Sequence, residues 1–223
     1  MQIIEYIDRD IAAIGVADAL ASGLKNALLI QDKVSLAVPG GTTPGPIFDV
    51  LCAADLDWDR VTIMLTDERW VPEDHERSNT ALVKSRLMQG PAAKAQFLPF
   101  YRAGETAHEA APVLSETVRA QMPLSMVVLG MGNDMHTASL FPGAKGLSQA
   151  LHPDAPALCP IEASSQPDVR ITLSAAALKG AMDKHLIIFG QDKRAALEDA
   201  MGRPPEEAPI AGVIQGGTIH WAA

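Results

Sequence analysis

A chain of 223 residues with 48% hydrophobic residues can bury a real core, and we expect one domain over 1–223. Aromatic residues make up only 4%, so Ala, Val, Leu, Ile and Met must fill that core. The 27 acidic residues against 18 basic ones, with no basic stripe, speak against a nucleic-acid partner and require any anionic ligand to be held by a local cationic pocket.

The predicted elements alternate. Ile11–Ile30 has helical apolar spacing behind a cap at Asp10. Val34–Val38 is a short β-branched strand stopped by Pro39, Gly40 and Gly41. Pro44–Ala54 is predicted helical, Val61–Leu65 a strand, Ser78–Met88 a helix capped at Ser78 or Asn79, Ala95–Phe100 a short strand and Glu105–Ala120 a helix. Leu124–Leu129 is a further buried strand. After a proline-containing loop come strands at Val169–Leu173 and His185–Phe189, a helix at Asp192–Met201 and an edge strand at Thr218–Trp221. Near-continuous apolar strands alternating with helices predict an α/β fold: an open, mainly parallel sheet flanked by helices. In such sheets ligands bind beyond the carboxyl ends of the strands, which is where the unusual loops fall.

Four segments carry candidate chemistry. In Pro39–Gly45, "PGGTTPG", Gly40 and Gly41 allow close backbone approach, Thr42 and Thr43 add hydroxyls, and Thr43 can cap the next helix, together making an anion cradle. It is no nucleotide loop, because no Gly-Lys-Ser/Thr follows. In "TDERWVPEDHERSN", Thr66–Asn79, the charges Asp67, Glu68 and Arg69 follow an apolar strand directly and read as an ordered rim or as solvated loop charges. In "LGMGNDMHTASLFPG", Leu129–Gly143, Asp134 and His136 suit a general base with its orienting acid better than a metal pair, for which the spacing has no signature. Arg170, and Lys193 beside Arg194 in a predicted first helical turn, complete the set. A cation there opposes the helix dipole, a conflict that a bound anion removes. Arg194 reads as surface charge.

Other chemistries find no support. No G-x-S-x-G nucleophile elbow occurs, and Cys52, in a helix, and Cys159, in a loop, form no C-x-x-C. We read them as reduced thiols of a cytoplasmic protein. The N-terminus lacks the pattern of a signal peptide, no segment reads as a bilayer span, and no membrane partner is expected.

Taken in this order, "GGTTP", "TDERWVP…SN", "GMGNDMHTASLFPG", "RITLSAAAL" and "GQDKRAAL" resemble the 6-phosphogluconolactonase family, related to glucosamine-6-phosphate deaminase and sharing its open α/β architecture. The resemblance implies hydrolysis of 6-phospho-D-glucono-1,5-lactone in the oxidative pentose phosphate pathway, with no cofactor or metal and a phosphosugar lactone as the small-molecule partner; it leaves the oligomeric state open. By that resemblance His136 is the base that aims a water and Asp134 helps orient the imidazole or the water; Arg69 is the candidate for positioning the substrate or stabilising developing oxyanion charge, and Asp67 stands in the same rim. The phosphate would sit on Gly40, Gly41, Thr42 and Thr43, clamped by Arg170 and Lys193. The chain departs from the family pattern at Met135, where glycine is usual, and at Pro39, where Ser or Gly is usual. The related deaminases place a further acid shortly after the histidine, and "HTASLFPG" supplies none; a sugar-phosphate-sensing module would need a DNA-binding segment that the chain lacks.

Overall fold

The computed structural model describes residues 2–223. In chain order the elements are β1 (Gln2–Tyr6), α1 (Arg9–Leu28), β2 (Val34–Val38), α2 (Gly45–Leu51), β3 (Val61–Leu65), β4 (Asp67–Arg69), α3 (Asn79–Arg86), β5 (Gln96–Leu98) and α4 (Ala107–Arg119). They continue with β6 (Met126–Leu129), α5 (Leu147–Leu151), β7 (Leu158–Ile161), β8 (Arg170–Leu173), α6 (Ala175–Lys179), β9 (Asp183–Phe189), α7 (Gln191–Ala200), α8 (Pro209–Val213) and β10 (Thr218–Ala222). A seven-stranded sheet runs β1-β10-β9-β6-β2-β3-β5, and every neighbouring pair is parallel. β2 and β3 are buried at every position, as strands covered on both faces must be. A second sheet, β4-β8-β7, is antiparallel.

From β2 the chain steps outward to β3 and β5, then returns to place β6 on the other side of β2 and steps the opposite way to β9 and β10. The switch point therefore lies between β2 and β6, and the loops beyond both strands open into one crevice there. This geometry, rather than any single motif, brings Gly40 and His136 to the same place.

Helix α1 shows why local sequence and tertiary packing agree. Asp8 Oδ1, not Asp10, accepts from Ile11 N at 2.8 Å, so the helix starts two residues earlier than expected. Val16, Leu20, Leu24 and Leu28 recur every fourth residue and are buried together with Ala13 and Ala17. By length and composition alone α1 is long and apolar enough to cross a bilayer, which the expectation above did not allow for, yet its buried stripe belongs to the core.

Three strands escaped prediction. β1 pairs outside β10 from Gln2 against Thr218 to Tyr6 against Ala222, which makes β10 an interior strand and not the expected edge. β4 and β7 were read as loops; Cys159 therefore sits in a strand, where burial pushes its thiol up to about 11. Cys52 is the cap residue just beyond α2. Thr43 does not cap α2, which begins beyond Pro44 with no side-chain cap.

Beneath α1 a chain of polar groups crosses the sheet. Tyr6 Oη lies 2.8 Å from His220 Nδ1, His220 Nε2 lies 2.9 Å from His185 Nδ1, and His185 Nε2 approaches Asp183 Oδ2 at 3.1 Å, though poorly aligned. Tyr6 Oη can donate to His220 Nδ1, which leaves His220 Nε2 to donate toward His185 Nδ1. Burial holds His220 down to about 4, with His185 adding to the effect and Asp183 opposing it. An unfolded imidazole protonates near 6.5. Between those values the unfolded chain binds the extra proton, so this contribution to stability is intact above about pH 6.5 and falls as pH drops toward 4. The expected loss is about 3 kcal/mol, read as a lower urea midpoint at pH 4.5 than at pH 7. In His220→Gln that midpoint difference should shrink; an equal difference in both proteins would rule the imidazole out as its source.

Candidate active site

The loop leaving β6 folds back on itself. Gly132 N donates to His136 O at 2.9 Å and Met135 N donates to Gly132 O at 3.0 Å. This turn brings His136 Nδ1 to 2.5 Å from Asp134 Oδ1. A carboxylate only accepts, so Nδ1 carries the proton and Nε2 keeps its lone pair. The imidazole packs against Phe141, ring centroids 4.4 Å apart, and is 28% exposed. A Cβ on Gly132 would lie 2.2 Å from two atoms of the imidazole and 2.3 Å from Asp134 Oδ1. Only glycine leaves room for the pair.

Met135 adopts φ 65°, the left-handed conformation that explains the usual glycine. Its carbonyl accepts from Ile210 N at 3.3 Å, and its side chain is half-buried against the core. The packing offsets the strain, so the departure leaves the turn intact. Met135→Gly is expected to change stability by less than about 1 kcal/mol, because relief of strain and loss of packing oppose each other. Met135→Val, β-branched, should cost about 2 kcal/mol, and paired urea titrations separate the two cases.

The segment after β3 is a strand, which changes what its charges do. In β4, paired with β8, Arg69 stands directly opposite Arg170. Asp67 is buried; its Oδ2 accepts from Ser139 Oγ at 2.5 Å and lies 3.8 Å from Arg170 Nη1, while Oδ1 accepts from Thr66 Oγ1 at 3.2 Å. Asp67 thus ties the His136 loop to the Arg170 strand. Glu68, 0% exposed, accepts at Oε1 from the N–H groups of Arg69 and Asn79, both at 2.8 Å. Its Oε2 accepts from Thr80 N at 2.8 Å and Ser78 Oγ at 3.0 Å. This carboxylate anchors the start of α3, where Ser78 is the N-cap as expected.

Two like charges opposite each other on paired strands repel. Arg69 Nη1 donates to the Arg77 carbonyl, and Arg170 Nη2 donates to Gln166 Oε1 at 2.5 Å. The Nε atoms of both are nevertheless buried without a hydrogen-bond partner among the described residues. Burial pushes the Arg170 guanidinium below its ordinary range; Asp67 opposes this and Arg69 adds to it. Buried orphan donors on facing cations are what an anion would satisfy.

Lys193, in the first turn of α7, donates from Nζ to Met131 O at 2.7 Å. Burial lowers its ammonium pKa, and the charge of Asp134 opposes that shift. Arg194 turns away to Glu5 and Glu198. In the loop after β2, the N–H groups of Gly40, Gly41, Thr42 and Thr43 make no hydrogen bond with other described residues. Gly40 is pressed against Asn79, where a Cβ would fall 1.8 Å from Oδ1, and Asn79 Nδ2 donates in turn to the Asp67 carbonyl at 2.8 Å.

One cavity of about 490 Å³ collects these groups. Gly40, Gly41, Thr42, Thr43, Asp67, Arg69, His136, Arg170 and Lys193 all line it, with Asp134 behind the imidazole. Arg9, Asn79 and Gln166 also line it, and sequence reasoning missed all three. Arg9 carried the signal that marked Lys193, a cation in a first helical turn. Asn79 was read only as a cap, and Gln166 lies in a loop without a motif.

An open parallel sheet whose switch point holds an imidazole–carboxylate pair, cations and free backbone donors carries the groups that acid–base chemistry on a small anionic substrate needs. Comparison with known proteins narrows this: residues 8–221 match the family described as glucosamine-6-phosphate isomerases/6-phosphogluconolactonase, and the chain belongs to that family. A 6-phosphogluconolactonase of Pseudomonas aeruginosa is 40% identical over 211 residues, covering 93% of this chain and 89% of that protein. One of Rhizobium meliloti is 40% identical over 214 residues, covering 93% and 92%. The crystal structure of a 6-phosphogluconolactonase from Shewanella baltica superposes with a TM-score of 0.95 at 32% identity, covering 100% of this chain and 98% of that one.

Proposed function

We propose that this chain is an enzyme of the oxidative pentose phosphate pathway, acting in the cytoplasm to hydrolyse 6-phospho-D-glucono-1,5-lactone to 6-phosphogluconate without a cofactor. The observation that carries the reading is that the His136–Asp134 pair opens onto the same cavity as the unpaired donors of Gly40–Thr43, Arg69 and Arg170.

A lactone is an activated ester, so a positioned water suffices as nucleophile. His136 Nε2 takes a proton from that water as its oxygen bonds to the lactone carbonyl carbon. Asp134 holds the ring in the tautomer that leaves Nε2 free and stabilises the imidazolium that forms. Arg69 faces the negative charge that develops on the carbonyl oxygen. The bond from that carbon to the ring oxygen then breaks, and the imidazolium returns its proton to the departing oxygen, which becomes a hydroxyl. The phosphate sits on the Gly40–Thr43 backbone between Arg170 and Lys193, and Asp67 fixes Arg170 and the His136 loop in register.

The test is turnover of freshly generated 6-phosphogluconolactone, followed by acid release or coupled NADPH formation with the spontaneous rate subtracted. A rate well above the blank is expected. A rate equal to the blank would reject lactone hydrolysis.

A further inference from the structure

Arg9 has no place in the mechanism above, yet it lines the cavity. It is the first residue of α1, with Asp8 as the cap before it, so its positive charge sits at the end of the helix that disfavours it. The chain has a large excess of acids, and its other arginines show how such charges are normally absorbed. Arg60, Arg77, Arg86, Arg102, Arg119, Arg170, Arg194 and Arg203 each lie within ion-pairing reach of an Asp or Glu. Among the described residues the two arginines without such a carboxylate are Arg9 and Arg69, and both face the cavity.

The Arg9 side chain is held at two points. Its Nε donates to the backbone oxygen of Ala223 at 3.3 Å, and its guanidinium lies over the Phe189 ring, 5.5 Å from the centroid. Both terminal nitrogens are left without a hydrogen bond to the described residues. Phe189 ends β9 and Lys193 stands four positions further on, and Arg9, Phe189 and Lys193 all line the cavity. Lys193 already spends one donor on Met131 O and faces Asp134. A phosphate group at neutral pH carries close to two charges and three acceptor oxygens, enough to engage a further cation beside Lys193 and Arg170.

We propose that Arg9 is a substrate-binding residue whose guanidinium closes on the phosphate from the solvent side, so that helix α1 selects phosphorylated over unphosphorylated lactones. The proposal rests on the phosphosugar reading of the cavity. Arg9 is exposed, and its replacement removes no buried contact.

The experiment compares wild type, Arg9→Gln and Arg9→Lys on 6-phosphogluconolactone and on unphosphorylated glucono-1,5-lactone, with calorimetric Kd values for 6-phosphogluconate at two salt concentrations. In Arg9→Gln the preference for the phosphorylated lactone, as a ratio of kcat/KM values, is expected to fall about tenfold, with the change in KM. The Kd for 6-phosphogluconate should weaken by a similar factor and lose part of its salt dependence, and Arg9→Lys should recover part of both. An equal loss on the two lactones, or an unchanged Kd, would overturn the proposal. Wild-type turnover no faster than the blank would remove the lactonase reading alone, because the 6-phosphogluconate Kd still decides the role of Arg9. A wild type that binds no 6-phosphogluconate would overturn both.

Discussion

His136→Ala is expected to lower kcat for 6-phosphogluconolactone by about 10²–10⁴-fold, the usual contribution of a general base, while KM changes little. The ring is partly exposed and its neighbours are Asp134 and Phe141, so the variant should keep the wild-type urea midpoint. Loss of activity is then a statement about chemistry. Asp134→Asn gives a sharper version. An asparagine amide can donate to Nδ1 and so favour the tautomer with the proton on Nε2, the wrong end for a base. We expect a fall in kcat of about 10²-fold and a pH–rate profile whose base limb shifts, a change that a packing defect would not produce. An Asp134→Asn enzyme with wild-type kcat and profile would remove the orienting role. A His136→Ala enzyme with wild-type kcat would remove the base.

The largest effect on stability is expected at a residue outside the chemistry. Glu68→Ala takes one acceptor pair away from the N–H groups of Arg69, Asn79 and Thr80 and from the Ser78 hydroxyl, in a position with no solvent access. Each stranded buried donor costs on the order of 1–3 kcal/mol, and some relaxation will recover part of the total. A net loss of about 4 kcal/mol is therefore expected, seen as a lower urea midpoint at unchanged slope. Glu68→Gln keeps one acceptor oxygen but turns an NH₂ toward donors, and should fall between the two. Because the same oxygen anchors Arg69 and Asn79, the surviving folded enzyme should also lose kcat/KM. A Glu68→Ala protein as stable as wild type would show that water replaces the carboxylate without cost.

The sequence was informative wherever a local rule sufficed. The strands of the sheet centre were visible because burial on both faces leaves near-continuous apolar runs such as Val61–Leu65, where Thr62 is the single polar residue. The catalytic candidates were visible because Asp134 and His136 lie two residues apart in one loop. What stayed hidden depends on pairing between distant segments. β4 and β7 have three and four residues, too short for a period, and only their antiparallel match to β8 makes them strands. β1, with its partly exposed Gln-Ile-Ile-Glu-Tyr, is a strand because β10 is there to receive it. Missing β1 made β10 an edge and left Arg9 without a site to face. Glu68 sat in full view inside "TDERW", yet a buried carboxylate and a solvated one are spelled alike; its four donors lie one to twelve residues away.

The cavity wall has a consequence for following this protein through denaturation. Its lining comes from six stretches of chain, from Arg9 through the loops after β2, β3 and β6 to Arg170 and Lys193, and no two neighbouring stretches complete it. β1 must also reach across the length of the chain to Thr218–Ala222 before α1 can present its first turn. No fragment and no half-assembled intermediate holds the whole constellation. Turnover is thus a logical AND over nearly every long-range strand pairing, and recovered catalysis after dilution from urea should trail fluorescence from the tryptophans, timing the last pairing to form.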